Sequence, residues 1–372
     1  MMSTRLRIAA FGFRSLPPTD GAAGADKFAE ELLPRIASRG HQVIAYTRKY
    51  ANSRTDRTEY KGVRIKTFKT TSLKGFDTLL HSLKCTWHII TRNTADIVHI
   101  QNGGNSIWAL PLRLFGKKVF ISQDGVDWKR DKWPWYGKLY LKLSSYITAN
   151  LPNQVVFDNV IAKNMFETKF KKHFEFIPFG SEVGAVTEDD SILKKYGITK
   201  GNYYLFVGRF IPDKGLHYLI PAFINAKTNK KLVLVGGSPN PSEYERRIQQ
   251  LADNNIIFAG YVYGDDVNRL MLNSYCYIQP SDVEGLSPVV LTVMGLGVPL
   301  IVSNIEENMY AVKDTALSFE KSSISSLTGQ IIFAEYNYPI MLELASKAKI
   351  RALEEFNWEK VTDEHLDLFQ KY

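Results

Sequence analysis

The chain has 372 residues, 45% hydrophobic and 23% charged, which is globular composition and enough length for two domains. Its two cysteines, Cys85 and Cys276, both sit in apolar segments, so neither a disulfide framework nor zinc-ligand spacing is available and a reducing compartment is expected. The formal charge of +9 is uneven: residues 1–182 hold 29 Lys/Arg against 15 Asp/Glu, and the rest hold 18 against 23. A basic first half suits an anionic partner or an acidic membrane surface.

In chain order, Arg5-Leu6-Arg7 leads straight into a strand, Ile8-Ala9-Ala10-Phe11, with no apolar core or cleavage site of a signal peptide. No run approaches the roughly 18–20 apolar residues of a membrane span. A cytosolic protein is expected, in contact with the inner face of the membrane through its basic first half. The Gly/Pro-rich loop GFRSLPPTDGAAGADKF follows, where Gly21 and Gly24 precede a helix carrying Phe28, Leu32, Leu33 and Ile36 at helical spacing. Glycines at a helix start let backbone amides approach an anion. Strand patterns recur at GHQVIAYT, GVRIKTF, ADIVHIQ, KKVFISQ and NQVVFDN, separated by helical ones, which describes a doubly wound parallel sheet.

A polar stretch from Gly180 to Asn202 reads as the linker, with the boundary near residue 184. The second series comprises YYLFVGRF, a helix from about His217, KLVLVGG, a helix from Ser242, NIIFAG, and a strand at Tyr275–Ile278. Ser287 then Pro288 is a helix start, with a hydroxyl cap followed by a residue lacking an N–H. Gly295 and Gly297 are expected to end that helix before the strand Pro299–Val302. The last segment is helical, with a break near Phe356. The expected architecture is α/β, with domains at 1–183 plus the C-terminal helix 355–372, and at 184–354. The polar turns of both would converge on a cleft at the strand carboxyl ends.

Several residues there could do chemistry. In VGRFIPDKG, Gly208, Arg209 and Lys214 follow a strand directly, and two cations in one turn suit a diphosphate. Glu284 and Gly285 stand in a turn before a helix start. His99 ends a strand and reads either as a cleft residue or as a packed one. The stretch SQDGVDWKRDKWPW sets Asp124, Asp127 and Arg130 beside Trp128, a combination suited to sugar rings and their hydroxyls. The dinucleotide fingerprint, the P-loop and the nucleophile elbow are missing, and no Asp-x-Asp pair or His/Cys cluster suggests a metal. No cofactor, metal or nucleic acid is expected.

The ordered set VGRFIPDKG, VLVGG, FAGYV and PSDVEGLSPVVLTVMGLGVPLIVSN resembles the donor half of retaining GT-B glycosyltransferases of family 4. GFRSLPP and DGVDWKRDKW resemble a subset that builds bacterial surface polysaccharides. The resemblance implies two Rossmann-like domains, with the last helix crossing back to the first. It also implies hexosyl transfer from a nucleotide diphosphosugar to a glycan or lipid-linked diphosphate acceptor. Arg209 and Lys214 would bind the diphosphate, and Glu284 with Gly285, Leu286 and Ser287 the transferred sugar. Gly208, Gly237, Tyr261 and Val262 would line the donor site, while Gly21, Gly24, His99, Asp124, Asp127, Trp128 and Arg130 would face the acceptor. The family's second Glu is Thr292 here: either the nucleotide carries a deoxyribose, which through the subset suggests dTDP-rhamnose, or another residue substitutes, or donor binding is impaired. Asp127 replaces the subset's Glu, and the loop at Gly21 is two residues longer. A sugar-nucleotide epimerase of the same architecture and a degenerate sugar-nucleotide binder are the alternatives.

Overall fold

The computed structural model describes residues 5–19, 24–49, 57–71, 76–123, 125, 128, 134–181, 189–237 and 242–372. The chain divides into two compact units, residues 1–179 with 358–372, and residues 180–357. The expected boundaries at 183/184 and 354/355 thus fall a few residues from the observed ones. The expected linker also contains a short helix that buries Ile192 and Leu193.

The first unit runs β1 (Arg7–Phe11), α1 (Gly24–Ser38), β2 (Gln42–Lys49), β3 (Glu59–Tyr60), β4 (Val63–Lys69), α2 (Phe76–Arg92) and β5 (Ile97–Gln101). A 3-10 turn (Gly103–Trp108), α3 (Ala109–Leu114), β6 (Lys118–Gln123), α4 (Trp135–Asn150), β7 (Gln154–Phe157), α5 (Val160–Phe170) and β8 (Glu175–Phe176) complete it. Its eight strands are ordered β3-β4-β2-β1-β5-β6-β7-β8, parallel except for β3 against β4. β5 is buried along its whole length, as a strand covered on both faces must be.

The second unit runs α6 (Ser191–Lys195), β9 (Tyr203–Arg209), α7 (Leu216–Ala226), β10 (Lys231–Gly237), α8 (Glu243–Leu251), β11 (Ile256–Gly260), α9 (Asp265–Leu272) and β12 (Cys276–Gln279). Then follow α10 (Pro288–Leu296), β13 (Leu300–Ser303), α11 (Glu306–Val312), β14 (Leu317–Phe319), α12 (Ile324–Tyr336) and α13 (Tyr338–Glu355). Its six parallel strands are ordered β11-β10-β9-β12-β13-β14, so direction reverses between β9 and β12. The first sheet reverses between β1 and β5. Ligands of open α/β sheets bind beyond the strand ends at such reversals.

The final helix, α14 (Trp358–Lys371), belongs to the first unit, as expected. Phe28 of α1 meets Trp358 with ring centroids 5.8 Å apart, and Phe120 of β6 meets Phe369 at 4.8 Å. Arg35 Nε reaches Glu359 Oε1 at 3.0 Å. Ser287 caps α10 by accepting from Val290 N, with Pro288 in the first turn. Gly297 ends that helix in the left-handed region at φ +73°, whereas Gly295 lies inside it, contrary to expectation.

Candidate donor-binding site

The second unit builds its site where β9 and β12 end side by side. β9 delivers Gly208 and Arg209, and the chain then makes a 3-10 turn, Pro212–Lys214. Gly215 closes the turn at φ +70°, where a Cβ would stand 2.0 Å from the Pro280 carbonyl oxygen. That close approach, with Asp282 N donating to Asp213 O at 2.9 Å, joins the loop after β9 to the loop after β12. Two residues 70 positions apart are thereby brought together. Lys214 Nζ forms an ion pair with Glu284 Oε1, their side chains only 17% and 8% exposed. Arg209 is exposed and has no ion-pair partner among the described residues.

Glu284 is held from below. Gln279 Nε2 donates to Glu284 Oε1 at 2.5 Å and Ser281 Oγ donates to the same oxygen at 2.6 Å. The Tyr277 hydroxyl donates to Gln279 Oε1 at 2.6 Å, which fixes the amide's orientation. Ser303 Oγ donates to Ser281 O at 2.5 Å, and Asn308 Nδ2 donates to Ser303 Oγ at 2.9 Å. All five supporting residues are buried. Burial, and then the Glu284 charge, push the Tyr277 phenol well above its ordinary value, so it stays a donor. Such a satisfied chain fixes the carboxylate's position. Sequence reasoning missed it, although Gln279 and Ser303 are polar residues ending apolar strands. It also missed Glu307 on α11, whose carboxyl is raised by burial and then by Glu306 and Glu284.

Around this pair the structure brings several expected donor residues together. Gly237 ends β10 beside β9, paired in register with Arg209. A Cβ at Gly237 would lie 3.2 Å from the Tyr261 ring, so the ring covers that strand end. Tyr261 stacks on Tyr263 with planes 3° apart, both exposed, and Val262 between them is half-buried. Gly285 is half-buried, while Leu286 and Ser287 are buried at the start of α10. Thr292 Oγ1 donates to Pro288 O at 2.9 Å, which commits its hydrogen to its own helix.

The acceptor-side expectations fare differently. Gly21, Asp124, Asp127 and Arg130 lie outside the described residues. Gly24 opens α1, and a Cβ there would meet nothing within 4 Å. The glycine the backbone requires is Gly12, at φ +109° with a Cβ position 2.2 Å from Gln101 O. Trp128 is half-buried against Phe166 at 5.6 Å, with Lys169 Nζ 4.8 Å from its ring centre, so the protein itself engages this ring.

His99 is corrected from a cleft residue to a packed one. Its exposure is 0%, its Nε2 is 2.7 Å from Ser122 Oγ, and Phe28, His365 and Phe369 surround the ring. Burial, and then the nearby His365, bring its pKa down to about 3, while burial brings His365 to about 4. Among the described residues no group of His, Cys, Asp and Glu could hold a metal ion.

The family description "Glycosyl transferases group 1" matches residues 188–351, and "Glycosyltransferase Family 4" matches residues 22–162. Among curated relatives, O-antigen chain mannosyltransferase C of Escherichia coli is 33% identical over 131 residues, 35% of each chain. The chain thus aligns with about a third of that relative's length. Sucrose-phosphate synthase from Thermosynechococcus elongatus superposes with TM-score 0.85 at 19% identity, over 99% of both chains. Anabaena HepE in complex with UDP and glucose superposes at 0.82 with 14% identity, covering 99% of this chain and all of that one. Two glycosyltransferase family models thus match the two units in turn, and the fold is the two-sheet α/β fold of the GT-B type.

Proposed function

We propose that the protein transfers a sugar from a nucleotide diphosphosugar to a glycan or lipid-linked acceptor, with the anomeric configuration retained, in surface-polysaccharide assembly. The observation that carries this reading is the Lys214–Glu284 pair at the β9/β12 reversal, with exposed Arg209 beginning the same turn. Arg209 and Lys214 bind the diphosphate and stabilise the charge that develops on it as the glycosidic bond breaks. Glu284, freed from Lys214 by the arriving phosphate, accepts hydrogen bonds from sugar hydroxyls, and the amides at the start of α10 add donors. No side-chain nucleophile is invoked. The leaving phosphate takes the acceptor proton as the new bond forms on the same face.

Tyr261 and Val262 flank the nucleoside in this reading, and HepE, whose structure contains UDP, supports a nucleotide-bearing donor. A dTDP sugar such as dTDP-rhamnose is the donor that Thr292 favours, because a ribose lacking its 2′-hydroxyl needs no second carboxylate. The relative named a mannosyltransferase points to another sugar. The non-catalytic reading is not adopted, since Arg209, Lys214 and Glu284 are all in place, nor is the epimerase, since glycosyltransferase models match both units.

The test is a thermal-shift panel of UDP, GDP, dTDP and their sugar conjugates, followed by transfer assays with the winner. One nucleotide is expected to stabilise the protein by about 2.7 kcal/mol at a hundredfold excess over its Kd. A protein that no nucleotide stabilises, or an Arg209→Ala variant with full transferase activity, sinks the reading.

A further inference from the structure

We propose that the outward face of α2, α3 and α4 docks the first unit on an anionic lipid surface. The observation is an apolar face on the wrong side of three helices. On α2, Phe76, Leu80, Leu83 and Trp87 are exposed at spacings of four, three and four residues, one stripe along the helix. The opposite side of α2 buries Cys85 and Ile89 in the core. On α4, Trp135, Leu139, Leu143 and Tyr146 repeat the pattern, Trp135 being 77% exposed, while Leu141, Ser145 and Thr148 point inward. Leu114 at 76% and Phe115 belong to α3 and its end.

These helices lie on one face of the first sheet. β4, β5, β6 and β7 follow one another with the chain advancing across the sheet in a single direction, and right-handed crossovers keep their helices on one side. The 3-10 turn after β5 ties them together. Ser82 of α2 donates to Asn105 Oδ1 at 2.9 Å, and Ser106 Oγ donates to Ser144 O of α4 at 3.0 Å. The combined exposed apolar area is on the order of 1,000 Å², beyond the few hundred that a surface normally leaves together.

Charge selects the occupant. Residues 76–123 and 134–150 carry seven Lys/Arg against two Asp/Glu. Asp96 is paired with Arg7 at 2.7 Å and Asp77 with Arg48 at 2.8 Å, so neither offsets the exposed Arg92, Arg113 and Lys142. A second copy placed on this face would set cation against cation. An anionic bilayer complements it, with Trp and Tyr at headgroup level and leucines below them. Among the described residues no helix is long and apolar enough to cross a membrane, so the contact is interfacial. The inference is independent of which sugar, or whether any sugar, is transferred.

The experiment is flotation of the full chain with vesicles of phosphatidylcholine containing about a third phosphatidylglycerol. Wild type is expected to float with these vesicles and to remain behind with pure phosphatidylcholine. Leu143→Glu or Trp87→Glu should weaken partition roughly tenfold, and Lys142→Gln about fivefold. Thermal unfolding and the nucleotide-induced shift should be unchanged in all three variants. Should a glutamate variant fail to fold, Trp87→Ser and Leu143→Ser replace them. Wild type that stays with the soluble fraction, or variants that float as it does, overturn the proposal. So does a dimer in light scattering that Leu143→Glu converts to a monomer while vesicle binding is absent.

Discussion

Gly215→Ala is the sharpest perturbation the donor site offers, because two separable penalties meet there. The backbone sits at φ +70°, which costs an L-residue about 1–2 kcal/mol. The added Cβ would also lie 2.0 Å from Pro280 O, where ordinary contact begins near 3.4 Å. One of the two loops must therefore move by about 1.4 Å. Forcing an extra methyl into a packed site costs about 1–3 kcal/mol, for a total of about 3 kcal/mol. In a unit of this size that lowers Tm by about 6–12 °C. The control is Gly297→Ala, at φ +73° and ψ +36° in the same left-handed region, where only the flexible Lys349 side chain comes within 4 Å of a Cβ. Its penalty of about 1–2 kcal/mol should lower Tm by about 2–8 °C. Moving Lys214 by an ångström against Glu284 should also cut kcat about a hundredfold, whereas Gly297→Ala leaves kcat intact. Thermal unfolding and initial-rate assays on the two variants decide the matter. Equal Tm losses with unchanged kcat in Gly215→Ala would refute the claim that Gly215 is kept for its contact with Pro280.

Lys214→Met and Glu284→Gln should each destabilise the second unit by about 2 kcal/mol, since each leaves a mostly buried partner uncompensated. The double variant should lose less than their sum by about 1–3 kcal/mol in denaturant unfolding, and strict additivity would show that the pair is not coupled. Acid should weaken the first unit selectively. His99 and His365 are held down at about 3 and about 4, against an unfolded value near 6.5. Above pH 6.5 both are neutral in either state and stability is flat. Below it the unfolded chain takes up protons that the folded unit refuses, so stability falls, and it levels off only near pH 3–4. Between pH 6.5 and 5 each histidine removes about 2 kcal/mol, and His81, at about 4, acts in the same direction. Unfolding curves at pH 7 and pH 5 that coincide for the first unit would contradict the burial of these rings.

The alternation of apolar strands with amphipathic helices was readable because each element states its own period. The start of α10 was readable because Ser287 and Pro288 are adjacent. A glycine reports a helix end only when its backbone is left-handed. Gly297 is, and Gly295, two residues earlier, is not, a difference that nothing in the letters encodes. His99 shows a second limit. Its position on β5 was plain, but the layer that covers it comes from His365 and Phe369, more than 260 residues later. The support beneath Glu284 has the same character. Gln279, Ser303 and Asn308 are unremarkable singly and acquire meaning only because β12 and β13 pair in register, with Gln279 opposite Val302.

The exposed stripes of α2 and α4 carry this further. A helix that is apolar on both sides has little moment to read, and α4 buries one face in a core while exposing aromatic residues on the other. Residues that touch neighbours in sequence were therefore legible. Those whose role depends on which face the fold covers, or leaves bare, were not. Lys214 and Glu284 were legible singly, while their pairing and its support were not. Lys214 and Glu284 each stand in a turn at a strand end, where chemistry is expected, but only the three-dimensional register gives the carboxylate its fixed position.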